Sequence, residues 1–249
     1  MTARAFTPTP WHDHHEKRHV YGHSFNVAAT LTKDEDLALI LAISPHPASR
    51  YDGVATLSTI ARLLGIYPEA KETYLLADAA SDNVDSPAFF RALGLKPVIP
   101  LREPGKDGFK IADIPCNPKG VPLCEAGHPM HPYGTVGGRQ RWICAQYVLS
   151  SGVPPHDECR KPGMRTVSFR PQDNHRLVSS VHRGSNTFRD LYKQRTVIER
   201  TIFKPALSDS GLDRTRVQSR GRMAFDLMLE GLLGYARAFS KGNPIPNAA

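Results

Sequence analysis

The chain has 249 residues, 40% of them hydrophobic, enough for one large domain or two small ones around a packed core. No apolar run approaches the roughly 20 residues that cross a bilayer, and residues 1–8 lack the apolar stretch of a signal peptide. The four cysteines are therefore expected as reduced thiols of a cytoplasmic protein, not as a disulfide framework.

The first 19 residues read as a disordered, histidine-rich start, with His12, His14, His15 and His19 not forming a specific metal site. Residues 20–101 have an α/β character. Strands are expected over 21–31 and 37–43, joined by the charged turn Lys33-Asp34-Glu35-Asp36 and followed by a breaker, Ser44-Pro45-His46-Pro47. An amphipathic helix follows over 52–64, with Val54, Leu57, Ile60, Ala61 and Leu64 as its apolar face. A strand over 74–78, a helix over 86–93 and a strand over 96–101 complete this part, and such alternation implies a sheet with parallel members. Residues 102–165 are rich in Pro and Gly, carry all four cysteines, and read as a loop-rich insertion. Regular structure resumes in 166–242 with a short strand over 166–169, a long helix over 186–203 and a last helix over 223–239. That last helix is apolar on most faces and is expected to be buried. Residues 243–249 read as a flexible tail.

The formal net charge of +8 is unevenly spread, since residues 183–222 hold ten Lys or Arg against four acids. A local excess of this size suits a polyanion, because cations that neutralise phosphates release condensed counterions. The alternative is a solvated helix face. Two acids stand out. Asp78 closes the apolar run Tyr74-Leu75-Leu76-Ala77, which puts a carboxylate at a strand tip, where open α/β sheets bind ligands. Glu199 lies on the basic helix four residues after Arg195, with Tyr192 one turn earlier on the same side. Leu191, Ile198 and Ile202 form the stripe expected to dock that helix.

Tyr21-Gly22-His23-Ser24-Phe25-Asn26, Ile43-Ser44-Pro45-His46-Pro47-Ala48 followed by Asp52, Leu76-Ala77-Asp78-Ala79-Ala80-Ser81-Asp82, Pro97-Val98-Ile99-Pro100 and Arg195-x3-Glu199-Arg200 together resemble the catalytic domain of bacterial insertion-sequence transposases. The resemblance covers 18–101 and 166–240. It implies an RNase H-like mixed sheet flanked by helices, an Asp-Asp-Glu triad and two metal ions, Mg²⁺ or Mn²⁺, which stabilise the attacking and leaving oxygens of an in-line displacement at phosphorus. By the resemblance Asp78 is the second Asp and Glu199 the third acid, both catalytic and both metal-holding. Arg195, Arg200, Lys204, Tyr192 and Lys193 are the DNA-binding candidates. The implied partner is double-stranded DNA at the terminal repeats of the element, and the implied assembly is a homodimer of the full-length protein associated with a bacterial nucleoid. The signature Tyr-x2-Arg-x3-Glu-x6-Lys is met by Tyr192, Arg195 and Glu199, whereas its final Lys falls on Ala206, two residues after Lys204.

The first Asp of the triad has no counterpart before Tyr21, Asp13 being a poor match, so the chain is expected to start inside the catalytic domain and to lack the middle strand, which would expose the edges of the strands at Tyr21 and Tyr74. Asp52, Asp82 and Asp85 read as helix-capping residues. In the insertion, Cys124-x3-His128 and His156-x2-Cys159 have spacings close to zinc-ligand pairs. The candidate structural zinc set is Cys124, His128, Cys144 and Cys159, with Cys116 as a further ligand and free thiols as the alternative. Tyr133, Arg139, Arg141 and Trp142 are candidates for DNA contact or partial burial. The leading expectation is thus a transposase catalytic-domain fragment; the alternative is a non-catalytic DNA-binding relic stabilised by zinc.

Overall fold

The computed structural model describes residues 10–13, 18–21, 23–32, 34, 37–47, 52–69, 74–105, 108–159, 165–203 and 220–241. Lys204 and the segments 14–17 and 205–219 lie outside them. The chain divides into two compact units, one built from 1–71 with 194–249 and the other from 72–193. It is mixed α/β, and among the described residues its strands pair into several small sheets.

In the first unit, β1 (Pro10–Asp13) and β2 (Arg18–Tyr21) pair antiparallel with His12 opposite His19, so part of the expected disordered start forms a ribbon. Its β-forming residues Trp11, Val20 and Tyr21 supply the propensity. β3 (His23–Leu31) and β4 (Ala38–Pro47) form a second antiparallel pair with a bulge between Ala28 and Ala29. Thr32 closes it, its N–H donating to Leu37 O at 2.9 Å and its hydroxyl accepting from Leu37 N–H at 3.3 Å. The supposed breaker at Ser44–Pro47 is the last part of β4, with Pro45 opposite Phe25 and Pro47 opposite His23. A strand of a two-stranded sheet has an edge where a missing N–H breaks no ladder.

α1 (Asp52–Ile66) packs on this pair through Ala55, Thr59, Ile60 and Leu63. The expected face was displaced by about one residue, for Val54 is 47% exposed and Ala61 also faces solvent. Two polar contacts select the rotation: Asn26 Nδ2 donates to Thr56 Oγ1 at 3.2 Å, and Arg62 Nη1 to Ile43 O at 3.2 Å. α4 (Arg220–Ser240) lies against β4 along the stripe Leu227, Gly231, Gly234 and Ala238. At Gly231 an added Cβ would come within 3.2 Å of Ile40, and the close approach lets Tyr235 donate its hydroxyl to Ile40 O at 2.8 Å. The expectation that α4 is buried all round does not hold: Phe225, Met228, Leu229, Leu232, Leu233 and Phe239 are exposed. One narrow stripe is what a two-stranded sheet can cover.

In the second unit, β5 (Tyr74–Leu76) and β6 (Lys96–Val98) are parallel neighbours joined through α2 (Ser86–Ala92). Asn83 caps α2, its Oδ1 accepting from Ser86 N–H at 2.7 Å and Asp85 N–H at 3.0 Å. Asp85 occupies the cap position without a side-chain bond, which corrects the capping role expected of it. The segment read as a loop-rich insertion holds β7 (Phe109–Ile111), β8 (Ile114–Cys116), β9 (His131–Val136) and β10 (Arg139–Ile143). β11 (Thr166–Phe169) joins it by pairing with β10. Here sits the unit's apolar core, with Phe109, Ile111, Met130, Trp142, Phe169 and Val178 around the cysteines. Trp142, 2% exposed, is a core residue and not a DNA contact.

Asp82 does not cap a helix with its side chain either. Its carboxylate is 1% exposed and takes a bidentate fork from Arg176, Nε to Oδ1 at 2.9 Å and Nη2 to Oδ2 at 2.7 Å, while Oδ2 also accepts Arg102 N–H at 2.8 Å. Beside this pair, Arg183 is buried and donates to Ile99 O at 2.6 Å and Arg176 O at 3.0 Å. Burial lowers the Arg183 guanidinium to about 10, against the pull of Asp82. Arg91 donates to His175 O at 2.9 Å and to Val178 O. Together they fasten 174–183 to α2 and the end of β6.

Removing one member of a buried pair strands the other charge. Asp82→Ala should cost about 3–5 kcal/mol in urea unfolding; a loss below about 1 kcal/mol would show that Arg176 and Arg183 are solvated without it. Trp142→Ala should cost about 3–5 kcal/mol through the cavity it leaves, with a matching fall in melting temperature.

Candidate functional site

Asp78 follows β5 by two residues, and Ala77 N–H still donates to Val98 O of the neighbouring segment at 3.4 Å. Its backbone is extended (φ −78°, ψ 175°), and the chain turns there into the 3₁₀ turn Ala79–Ser81. The half-buried Asp78 carboxylate caps this turn, Oδ1 accepting from Ala80 N–H at 3.1 Å. Asp78 is thus held at the carboxyl end of a parallel strand, as the apolar run before it leads one to expect.

Glu199 stands where α3 (Asn186–Ile198) widens into a π-helical turn, Glu199–Phe203. Such turns cost helix geometry and persist where other contacts hold them. Here Thr201 does so: its hydroxyl donates to Val197 O at 2.7 Å and accepts from Ala38 N–H, the first residue of β4, at 3.1 Å. Val197 and Ile202 are buried against Ala38 and, with half-buried Ile198, carry the docking expected of Leu191, Ile198 and Ile202. Glu199 is itself exposed and pairs with Arg195 at 2.8 Å, one turn back. Of the other basic candidates, Arg200 is exposed and Tyr192 half-buried, while Lys193 is exposed and paired with Asp190 at 3.2 Å. Asp78 and Glu199 belong to different compact units.

The cysteine-rich segment gathers a third group. Cys124, Cys144, His156 and Cys159 bring their three Sγ atoms and one ring nitrogen within 4.8 Å of one another, the three thiols buried and the histidine half-buried. His156 Nε2 is 3.6 Å from Cys124 Sγ and 3.3 Å from Cys144 Sγ. The cluster takes His156, where the expected zinc set named His128. His128 is on the return limb of a tight turn, its carbonyl accepting Cys124 N–H at 2.9 Å, and its ring packs 5.3 Å from that of His156. Cys116 is not in the group; it is a buried thiol of β8 that burial pushes up to about 11.

Local structure aims each ligand atom. Gly127, with φ 78°, lets the chain double back after Cys124 so that Gly127 N–H donates to Cys124 O at 2.8 Å. Cys144 directly follows β10, its N–H donating to Arg165 O at 2.8 Å. His156 N–H donates to Gln146 Oε1 at 2.8 Å, and its Nδ1 lies 3.2 Å from Pro154 O. Tyr147 donates its hydroxyl to Cys159 O at 3.0 Å.

Burial opposes ionisation of Cys124, but backbone N–H groups of His128 and Ala126 and the thiols of Cys159 and Cys144 outweigh it and hold Cys124 below the ordinary thiol range. Burial first, then the neighbouring Cys159 and Cys124, push Cys144 up to about 12, although the backbone at Gln146 works the other way. One negative sulfur therefore disfavours the next. The signal for this group lay in His156-x2-Cys159; nothing in the spacing ranks His156 above His128.

Residues 4–233 match the family model described as the transposase DDE domain. No curated protein and no solved structure matches the chain. No described helix is long and apolar enough to cross a membrane. With the family model spanning nearly the whole chain, the protein belongs to the transposase DDE domain family.

Proposed function

We propose that the chain carries out metal-dependent DNA strand cleavage and strand transfer for an insertion sequence, with Asp78 and Glu199 as its catalytic carboxylates. The observation that carries the reading is the position of Asp78, a carboxylate fixed by its own 3₁₀ turn at the carboxyl end of a parallel strand in a chain of this family. Glu199 adds a second carboxylate where the helix opens, exposed and beside a cation.

The donor set fits hard divalent cations, which prefer carboxylate oxygens. Asp78 and Glu199 would hold Mg²⁺ or Mn²⁺, and a bound pair of such ions stabilises both oxygens of a displacement at phosphorus. Asp82 does not supply the first Asp of the triad, because Arg176 and Arg102 occupy its buried carboxylate. Asp13 lies on β1 and is the remaining acid of that region on a described strand. Arg195, Arg200, Lys193 and Tyr192, with Lys204 outside the described residues, would bind DNA phosphates and orient the backbone. Arg195 also acts on Glu199, because its guanidinium offsets the charge of that carboxylate until a metal does so. The partner is double-stranded DNA at the element ends, bound by a homodimer of the full-length protein.

The test is Mg²⁺- or Mn²⁺-dependent cleavage of duplex DNA bearing the element ends. Asp78→Ala and Glu199→Ala should each lower the rate by more than about 100-fold, the several kcal/mol that metal charge stabilisation contributes, with DNA affinity retained. Cleavage that survives either substitution would overturn the assignment. Binding with no cleavage by the unsubstituted chain would instead favour the non-catalytic DNA-binding reading.

A further inference from the structure

The Cys124, Cys144, His156 and Cys159 cluster stands apart in chemistry from the carboxylates, and its four ligand atoms lie within 4.8 Å of one another. Zn–S distances of about 2.3 Å and Zn–N of about 2.0–2.1 Å put the sulfur and nitrogen corners of a tetrahedron about 3.6 Å apart. The two S···N separations of 3.6 and 3.3 Å match that edge. Three soft sulfurs and one imidazole nitrogen are a donor set for Zn²⁺ and not for Mg²⁺, which takes oxygen.

We propose that Cys124, Cys144, His156 Nε2 and Cys159 bind one structural Zn²⁺ that staples the cysteine-rich half of the 72–193 unit. All four positions are filled by protein, as in structural sites; a catalytic site keeps one open. The surroundings are those of a ligand shell. His156 Nδ1 faces Pro154 O, so its proton sits on Nδ1 and Nε2 is left to bind. Backbone N–H groups of Ala126 and His128 point at Cys124 Sγ, and that of Gln146 at Cys144 Sγ. The ligands come from the turn after Leu123, the residue after β10 and the 156–159 segment, three places well separated along the chain. With the ion bound, three buried sulfurs become thiolates without mutual repulsion.

The test is metal analysis of the purified full chain, with Co²⁺ replacement as the spectroscopic readout. The expected result is one zinc per chain, and with cobalt the intense visible bands and sulfur charge-transfer band of a tetrahedral thiolate site. His156→Ala and Cys159→Ser should weaken zinc binding by at least about 100-fold, the upper end of what losing even an outer partner costs. His128→Ala and Cys116→Ser should keep full stoichiometry, and His156→Cys should keep the metal with a cobalt spectrum shifted to four sulfurs. Because His156→Cys preserves the shell, it separates loss of a ligand from loss of folding. Zinc-free wild-type protein that is folded by circular dichroism and takes up no cobalt, or loss of metal in His128→Ala with retention in His156→Ala, would overturn the proposal.

Discussion

The second unit depends on a buried carboxylate, Asp82, surrounded by guanidinium groups. Its side chain is almost wholly buried, it takes two bonds from Arg176 and a backbone N–H from Arg102, and Arg183 lies within its field. A charge so placed is costly unless every partner is in position, which makes the arrangement a register device as much as a source of stability. Arg183 and Arg91 donate to backbone carbonyls of Ile99, Arg176, His175 and Val178, so one acid and three arginines tie the connection before α3 to the elements that carry Asp78. The 3₁₀ turn capped by Asp78 ends at Asp82, and Arg102 Nε donates to Ala79 O at 2.8 Å. Fixing Asp82 therefore fixes the turn that aims Asp78.

The first unit relies on a different device, small residues that allow close approach. Gly231 and Gly234 bring α4 onto β4, and Thr201 bonds the π-turn to the start of the same strand. β4 thus anchors both the helix that closes the unit and the turn that bears Glu199. The exposed apolar side chains of α4 follow from the same geometry, since a narrow glycine-lined stripe leaves most of the helix circumference uncovered.

Much of the candidate site was legible along the chain. Asp78 could be placed from the four apolar residues before it, and the Arg195–Glu199 pair from its four-residue spacing, because both depend on local periodicity. Asp82 was misread for the same reason: Ser81-Asp82-Asn83 before Ser86-Pro87 has the local pattern of a helix start, and Asn83, one residue on, does the capping. What claims Asp82 is Arg176, 94 positions away. The cysteine group shows the same division. Spacing marked out Cys124 and Cys159, but His128 and His156 are equivalent on spacing alone, and the choice falls to His156 because a glycine turn carries His128 along the return limb.

The amino-acid sequence by itself determined the four helices, the strands β3 to β6 and β11 to within a few residues, the acids at their ends, and the family, because periodicity, turn chemistry and motif order are properties of short segments. Tertiary structure alone decided that the cysteine-rich stretch has a core of its own, that Pro45 and Pro47 extend a strand, that α1 turns its Ala55–Leu63 face inward, and that Asp82 is structural. Each of these turns on a partner far along the chain, and the free energy of burying an apolar face or a charge is set by what covers it.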